Sequence, residues 1–339
     1  VLEGLVPEIP EKTFTSAEIE ERLVDVYRDL RLPEGRLELM TGIRSRGYWP
    51  RGTRSSAIAT SAGRRLLEEK QIDGEEVDLL IHASVCRDFL EPSTASVVHA
   101  NLGLGEDCLI FDLSNACLGV ISGMMTAAEM IERGSIRRAL IVSGENGGPL
   151  LEETIKTLQE KNQNDELTRK NIKKYLANLT IGSAGVALTL THEDLAPEAP
   201  RLQGAVTMTD STANVLCQGD GNSENLMMET DSEALMNAGV SLADKAWQKA
   251  KSTLFPESPP EWVITHQVGT AHERLTLETL GLLEVNTVKT YPELGNTGSA
   301  ALPLTLHKLM NTQRLEKNEN IALLGIGSGL TSTMMRIQC

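Results

Sequence analysis

The chain reads as an α/β protein built from two comparable halves. Three features predict this. Short, nearly continuous apolar strands alternate with helical segments. A connector with Pro197 and Pro200 follows, over Thr191 to Gly204. A second round of strand–helix units then begins. Apolar strands separated by helices imply a sheet covered on both faces. The expected halves are 1–195 and 196–339, and 339 residues suffice for a large core.

In the first half, Val77 to Ser84 (VDLLIHAS) predicts a buried strand and Thr94 to Leu102 a helix. Leu109 to Leu113 is a strand. Val120, Ile121, Met124, Ala128 and Ile131 then recur at helical spacing until Gly134. Ala139 to Ser143 is a further strand. Residues 151–178 break the pattern with a dense run of charges and predict a helical insertion over the surface. Gly182 to Leu190 returns to strand. In the second half, Asp231 to Lys251 predicts a helix, Trp262 to Thr265 a strand and Ala271 to Leu280 a helix. Val288 to Tyr291 is a strand, Ala300 to Met310 a helix and Ile321 to Ile326 the last buried strand, with Leu330 to Ile337 after it.

Composition narrows the function. The net charge of −15, with no basic tail, argues against nucleic acid. A local cluster, Arg44, Arg46, Arg51 and Arg54, could still meet an anionic ligand or equally form a solvated loop. Aromatics are 3%, so Leu, Ile, Val, Ala and Met must fill the core. No apolar run is long enough to span a bilayer. The first six residues carry no basic and apolar leader pattern, so no signal peptide is expected. Cysteines 86, 108, 117, 217 and 339 are odd in number and lack a CxxC. Neither a disulfide framework nor a metal site is expected, and a reducing cytoplasm is the simplest compartment.

Three turns carry the chemistry. Phe111-Asp-Leu-Ser-Asn-Ala-Cys117 ends a strand and delivers a cysteine to a helix start, with Ser114 and Asn115 as candidate N-caps. The helix dipole there favours thiolate, the nucleophilic form; the alternative is a small buried cysteine. His266 falls at a strand end before a helix, where imidazolium is disfavoured. Asn296 lies between glycines, as a turn former or an amide donor. A thiolate can take an acyl group from a thioester, and His and Asn N–H groups can stabilise the enolate of a second thioester. A papain-like protease would use the same three residue types, but its local cysteine sequence is absent. Gly325-Ile-Gly-Ser328-Gly is not expected to be a dinucleotide site, since no βαβ unit or acidic ribose partner is read after it.

Together these motifs resemble the thiolase superfamily, in its 3-oxoacyl-(acyl-carrier-protein) synthase III branch. Thr41-Gly-Ile-Arg-Ser-Arg, the Cys117 segment, Thr265-His266-Gln, Gly295-Asn296-Thr-Gly-Ser-Ala-Ala-Leu-Pro-Leu and Gly325-Ile-Gly-Ser-Gly-Leu-Thr occur in that family's order over nearly the full length. The resemblance implies a five-layered αβαβα thiolase fold, usually homodimeric. It implies Cys117 as acyl acceptor, His266 and Asn296 on the extender carbonyl, and an oxyanion hole from the Cys117 and Ser328 N–H groups. Ser84-Val-Cys-Arg-Asp-Phe-Leu-Glu91-Pro is most similar to the olefin-biosynthesis subgroup that joins two fatty acyl-CoA chains head to head. There the matching Glu91 would remove an α-proton across the dimer, a step that a decarboxylating synthase does not need. Glu91 could instead favour the start of the helix near Pro92.

The expected activity is therefore acyl transfer and Claisen condensation of acyl-CoA thioesters, with coenzyme A thioesters as substrates and no cofactor. Arg44 and Arg46 are candidate coenzyme A contacts. Acyl-carrier protein is the alternative donor. The competing readings are a decarboxylating 3-oxoacyl synthase III and, from another class, a non-catalytic acyl-binding subunit; 3-hydroxy-3-methylglutaryl-CoA synthase is a more distant rival.

Overall fold

The computed structural model describes residues 1–220 and 226–339. In chain order the strands are β1 (Leu2–Glu8), β2 (Lys12–Thr15), β3 (Ser45–Tyr48), β4 (Leu79–His82), β5 (Leu109–Asp112), β6 (Arg138–Glu145) and β7 (Ala184–Thr191). They continue as β8 (Arg201–Thr209), β9 (Cys217–Asp220), β10 (Met227–Thr230), β11 (Trp262–Thr265), β12 (Asn286–Thr287), β13 (Asn320–Gly327) and β14 (Thr331–Gln338).

Ten of these form two five-stranded sheets, ordered β1-β7-β6-β4-β5 and β12-β11-β13-β14-β8. The pairing matches position by position. β4 runs parallel to β5 and β6, as β11 does to β12 and β13. β7 is antiparallel to β6 and β1, as β14 is to β13 and β8.

Alternation along the strands builds the layers. Leu79 and Ile81 of β4, with Ile321 and Leu323 of β13, face one shared core. Two helices, Gly119–Glu132 and Ala301–Thr312, fill that core between the sheets through Ile121, Met124, Leu302 and Leu306. Leu80 and Val142 face outward onto the helices Ser55–Lys70 and Thr94–Leu102. Ala322 and Leu324 face outward onto Ser232–Thr253 and Thr270–Leu280. Helix, sheet, helix, sheet and helix thus stack in five layers, as the period-2 burial of each strand requires.

The charged segment 151–178 lies within a helical cap. Gly148–Gln163 and the turns at Asn171–Tyr175 and Asn178–Thr180 share a small core with Ile19, Leu23 and Tyr27. A two-pronged ion pair, Arg22 to Glu152 at 2.7 Å, fastens the cap to the helix Ser16–Arg22.

Several local expectations change. The sequence reading does not anticipate β1, where Leu2, Gly4 and Val6 alternate inward, nor β8 to β10. The expected connector already contains the start of β8 at Arg201. The expected strand Val288 to Tyr291 is displaced: the strand is the two-residue β12, and Tyr291–Leu294 forms a short helix with Pro292 in its first turn. No helix among the described residues is long and apolar enough to cross a membrane.

Candidate active site

The site lies where the parallel strands end. Cys117 follows β5 through a turn in which Ala116, a non-glycine, holds φ +45°. The helix behind it starts at Gly119, with Leu118 at the cap position and no side-chain cap. Ser114 and Asn115 therefore do not cap it. Ser114 is exposed, and Asn115 reaches into the helix, its Nδ2 donating to Ser122 Oγ at 2.9 Å.

Ser299 joins the cysteine turn to the Asn296 turn. Its Oγ accepts the Val120 N–H at 3.0 Å and donates to the Ala83 carbonyl at 2.6 Å. A Cβ on Gly119 would sit 2.9 Å from that Oγ, so only glycine permits the approach. Asn296 is held by its own backbone, which exchanges hydrogen bonds with Thr180 and Gly182. Its Oδ1 accepts the Gly298 N–H at 3.1 Å, which orients Nδ2 as the remaining donor.

His266 directly follows β11, and its backbone N–H donates to Leu324 of β13. Three residues beyond Leu324, the end of β13 presses on the cysteine turn: Gly327 lies against Leu118 and the Asn115 carbonyl. Ser328 forms the tip between β13 and β14. Burial lowers the His266 pKa to about 3, and the neighbouring His272 ring, 6.2 Å away edge-on, adds to this. The ring is neutral, as its place in the sequence suggested, but burial outweighs the helix terminus as the cause.

The thiol behaves differently from the sequence expectation. The Cys117 pKa is raised to about 12, first by burial and then by the carboxylate of Glu145 and by Cys217. The helix dipole, typically worth about 0.3–1 kcal/mol, does not overcome desolvation plus a nearby negative charge. The resting sulfur is a thiol. Glu145, at the end of β6, is 3% exposed and escaped the sequence reading because it looked like the tail of a buried strand.

Glu91 lies on the loop between β4 and the Thr94–Leu102 helix and is exposed. Its neighbours Val85, Phe89 and Leu90 expose 52%, 38% and 93% of their surface, an apolar fringe around an acid.

Arg46 is a correction. It is fully buried, and its guanidinium donates to the Phe14 carbonyl and Ser16 Oγ. It pins β2 and the following helix and cannot reach a coenzyme. Arg44 is exposed and paired with Glu293. A cavity of about 290 Å³ opens instead under the cap, lined by Arg31, Arg36, Arg169 and Lys173 beside Tyr27 and Met40. Its Thr41 carbonyl packs against Gly269, three residues beyond His266.

Comparison with known proteins agrees with this architecture. Residues 111–158 match the family model of 3-oxoacyl-[acyl-carrier-protein] synthase III, and residues 257–339 match the model of its C-terminal part. An acyl-CoA:acyl-CoA alkyltransferase of Xanthomonas campestris is 39% identical over 96% of this chain and 94% of its own length. Another, from Shewanella oneidensis, is 34% identical over 99% of this chain and 98% of its own. The structure of Xanthomonas campestris OleA with bound lauric acid and lauroyl-CoA, itself a cysteine variant, superposes with a TM-score of 0.92 at 37% identity, covering 100% of this chain and 98% of that one. Other solved variants of that enzyme replace a histidine or a glutamate.

Proposed function

The chain belongs to the acyl-CoA:acyl-CoA alkyltransferases of the 3-oxoacyl-[acyl-carrier-protein] synthase III family, with the thiolase fold, and from this premise we propose that it condenses two fatty acyl-CoA thioesters head to head. Cys117 Sγ attacks the first thioester carbon. The bond to coenzyme A breaks, and the thiol proton leaves with the coenzyme A sulfur. Glu91, reaching from the partner subunit, takes an α-proton from the second acyl-CoA. The carbanion attacks the Cys117 thioester carbon, the carbon–sulfur bond breaks, and the proton taken by Glu91 passes to the sulfur, restoring thiol and carboxylate and giving a 2-alkyl-3-oxoacyl-CoA for long-chain olefin synthesis.

The observation that carries this reading is the state of the two donors. His266 is neutral and Asn296 has its amide oxygen occupied, so each retains an N–H for an enolate oxygen. The Cys117 and Ser328 backbone N–H groups would serve the oxyanion of the first step. Arg36 and Lys173 in the cavity suit the phosphates of coenzyme A. A homodimer is supported by the exposed apolar fringe around Glu91 and by Leu109, 50% exposed on the edge strand β5. Five free cysteines suit the cytoplasm. No cofactor enters these steps; acyl-carrier protein remains the alternative donor.

The test is incubation with long-chain acyl-CoA alone. Release of free thiol together with a condensed β-keto product, or the ketone from its decarboxylation, is expected. Turnover only after a malonyl thioester is added would overturn the proposal.

A further inference from the structure

Glu145 gathers backbone donors from two distant segments. Its Oε1 accepts the Val85 N–H at 2.9 Å and the Ser299 N–H at 3.1 Å, and its Oε2 accepts the Cys86 N–H at 3.2 Å. Val85 and Cys86 open the loop that carries Glu91. Ser299 closes the turn that carries Asn296 and also holds the helix behind Cys117 through the Val120 N–H. The grip is reciprocal, since the Asn146 N–H donates to Cys86 Sγ at 3.4 Å. Gly298 is fitted to the carboxylate: it holds φ +56°, and a Cβ there would lie 3.1 Å from Oε1.

We propose that Glu145 is a positioning residue of the condensation site, fastening the base-bearing loop and the Asn296 turn to one buried carboxylate beside Cys117. This rests on the condensation reading for its consequence, but not for its geometry. Burial raises the Glu145 pKa and outweighs the three N–H bonds that lower it; those bonds engage both of its oxygens and hold it as an anchor rather than aim it at an α-proton. Its charge has a different target. Glu145 and, from β9, Cys217 both oppose ionisation of the Cys117 sulfur, with the Cys86 N–H bonded to Glu145. Glutamine could keep the two bonds at Oε1. Its amide nitrogen would then confront the Cys86 N–H, donor against donor.

Glu145→Gln separates the two effects. Its rate of iodoacetamide reaction at Cys117, followed against pH by mass spectrometry, is expected to rise about tenfold at pH 8, the equivalent of one unit in the thiol's titration. Condensation is expected to fall about tenfold relative to acyl–Cys117 formation. Glu145→Asp keeps the charge and withdraws the oxygens by one methylene. Its alkylation profile should stay with the parent while its condensation-to-acylation ratio falls. A Glu145→Gln protein with unchanged alkylation profile and unchanged ratio overturns the proposal. If that variant does not fold, an unchanged ratio in Glu145→Asp does so. Failure of the parent enzyme to condense acyl-CoA would instead strike the functional reading and leave the alkylation arm to judge Glu145.

Discussion

The two halves share strand order and direction and differ in what they hang on equivalent strand ends. After β5 comes Cys117, and after β12 comes Asn296; each turn leads into one of the two helices between the sheets. After β4 comes the Glu91 loop, and after β11 comes His266; each leads into an outer helix. In the proposed mechanism the first half thus holds the groups that make bonds or take protons, and the second holds fixed N–H donors. The largest divergence is at the third equivalent position. β6 and β7 are joined by residues 146–183, which fold into the cap, whereas β13 and β14 are joined by Ser328, Gly329 and Leu330 alone. One half therefore ends β6 in a buried acid followed by the cap, and the other ends β13 in Gly327 pressed on the cysteine turn. Ligands of open α/β sheets collect beyond the carboxyl ends of strands. Duplicating the unit gives four such ends four different side chains.

The sharpest way to break this division is to separate its chemical roles. Glu91→Gln should leave acyl transfer to Cys117 intact while condensation falls by about 10²–10⁴. His266→Ala should cost about 10²–10³ through loss of one enolate donor. Intact-protein mass spectrometry reads the first step and product formation the second. Co-refolding Glu91→Gln with Cys117→Ala should restore condensation, because a mixed dimer joins an intact cysteine to the partner's intact acid. No recovery would place the acid in the same subunit as its cysteine. Loss of the acyl adduct in Glu91→Gln would erase the distinction between bond-making and donor halves.

The legible part of the site was what sits at strand ends. Cys117 and His266 each follow an apolar strand and precede a helix, so a linear pattern marks them, whereas Asn296 is marked by the glycines around it and in the structure follows a short helix. The chemistry set by distant residues was hidden. The helix start near Cys117 is visible in sequence, whereas the Glu145 charge facing it comes from another strand, and burial reversed the expected ionisation. Arg46 looked like a loop cation because nothing nearby in sequence shows that Phe14 and Ser16 will enclose it. The buried strands were legible as nearly continuous apolar runs, but their order in the sheets was not, and short strands such as β12 carry too few residues to be read. The division into 1–195 and 196–339 places β1 and β8 at equivalent edges, an assignment that limited proteolysis near residue 195 would test.

A smaller effect concerns acid. His266 and His272 of the second half are buried with pKa values lowered to about 3 and 4, and His82 of the first half to about 4. An unfolded histidine titrates near 6.5. Below that pH the unfolded chain binds protons that the folded one refuses. The stability these groups contribute is thus complete above about pH 6.5 and is lost as pH falls toward their folded values. At pH 5 the loss is about 2 kcal/mol per histidine. With two such groups against one, the second half should open first. Hydrogen exchange at pH 5 should show β11 and β13 losing protection before β4 and β6. Simultaneous loss would mean that the halves unfold together, and the reverse order that other groups govern the acid limb.

The smallest effect separates two arginines that the sequence sets side by side. Arg44 makes an exposed ion pair with Glu293, whose side chains keep 61% and 47% of their surface in water. Such pairs contribute about 0–1 kcal/mol. Arg44→Ala should therefore leave the melting temperature nearly unchanged. If the cavity beneath the cap holds the coenzyme, KM for acyl-CoA should also stay within about twofold, a difference of some 0.4 kcal/mol. Arg46→Ala removes a buried guanidinium that links β3 to the first helix, and should cost about 3 kcal/mol of stability. Arg36→Ala should raise KM where Arg44→Ala does not. A large KM increase in Arg44→Ala would move the coenzyme out of the cavity and onto the surface beside Glu293, and the cap would then serve the acyl chains.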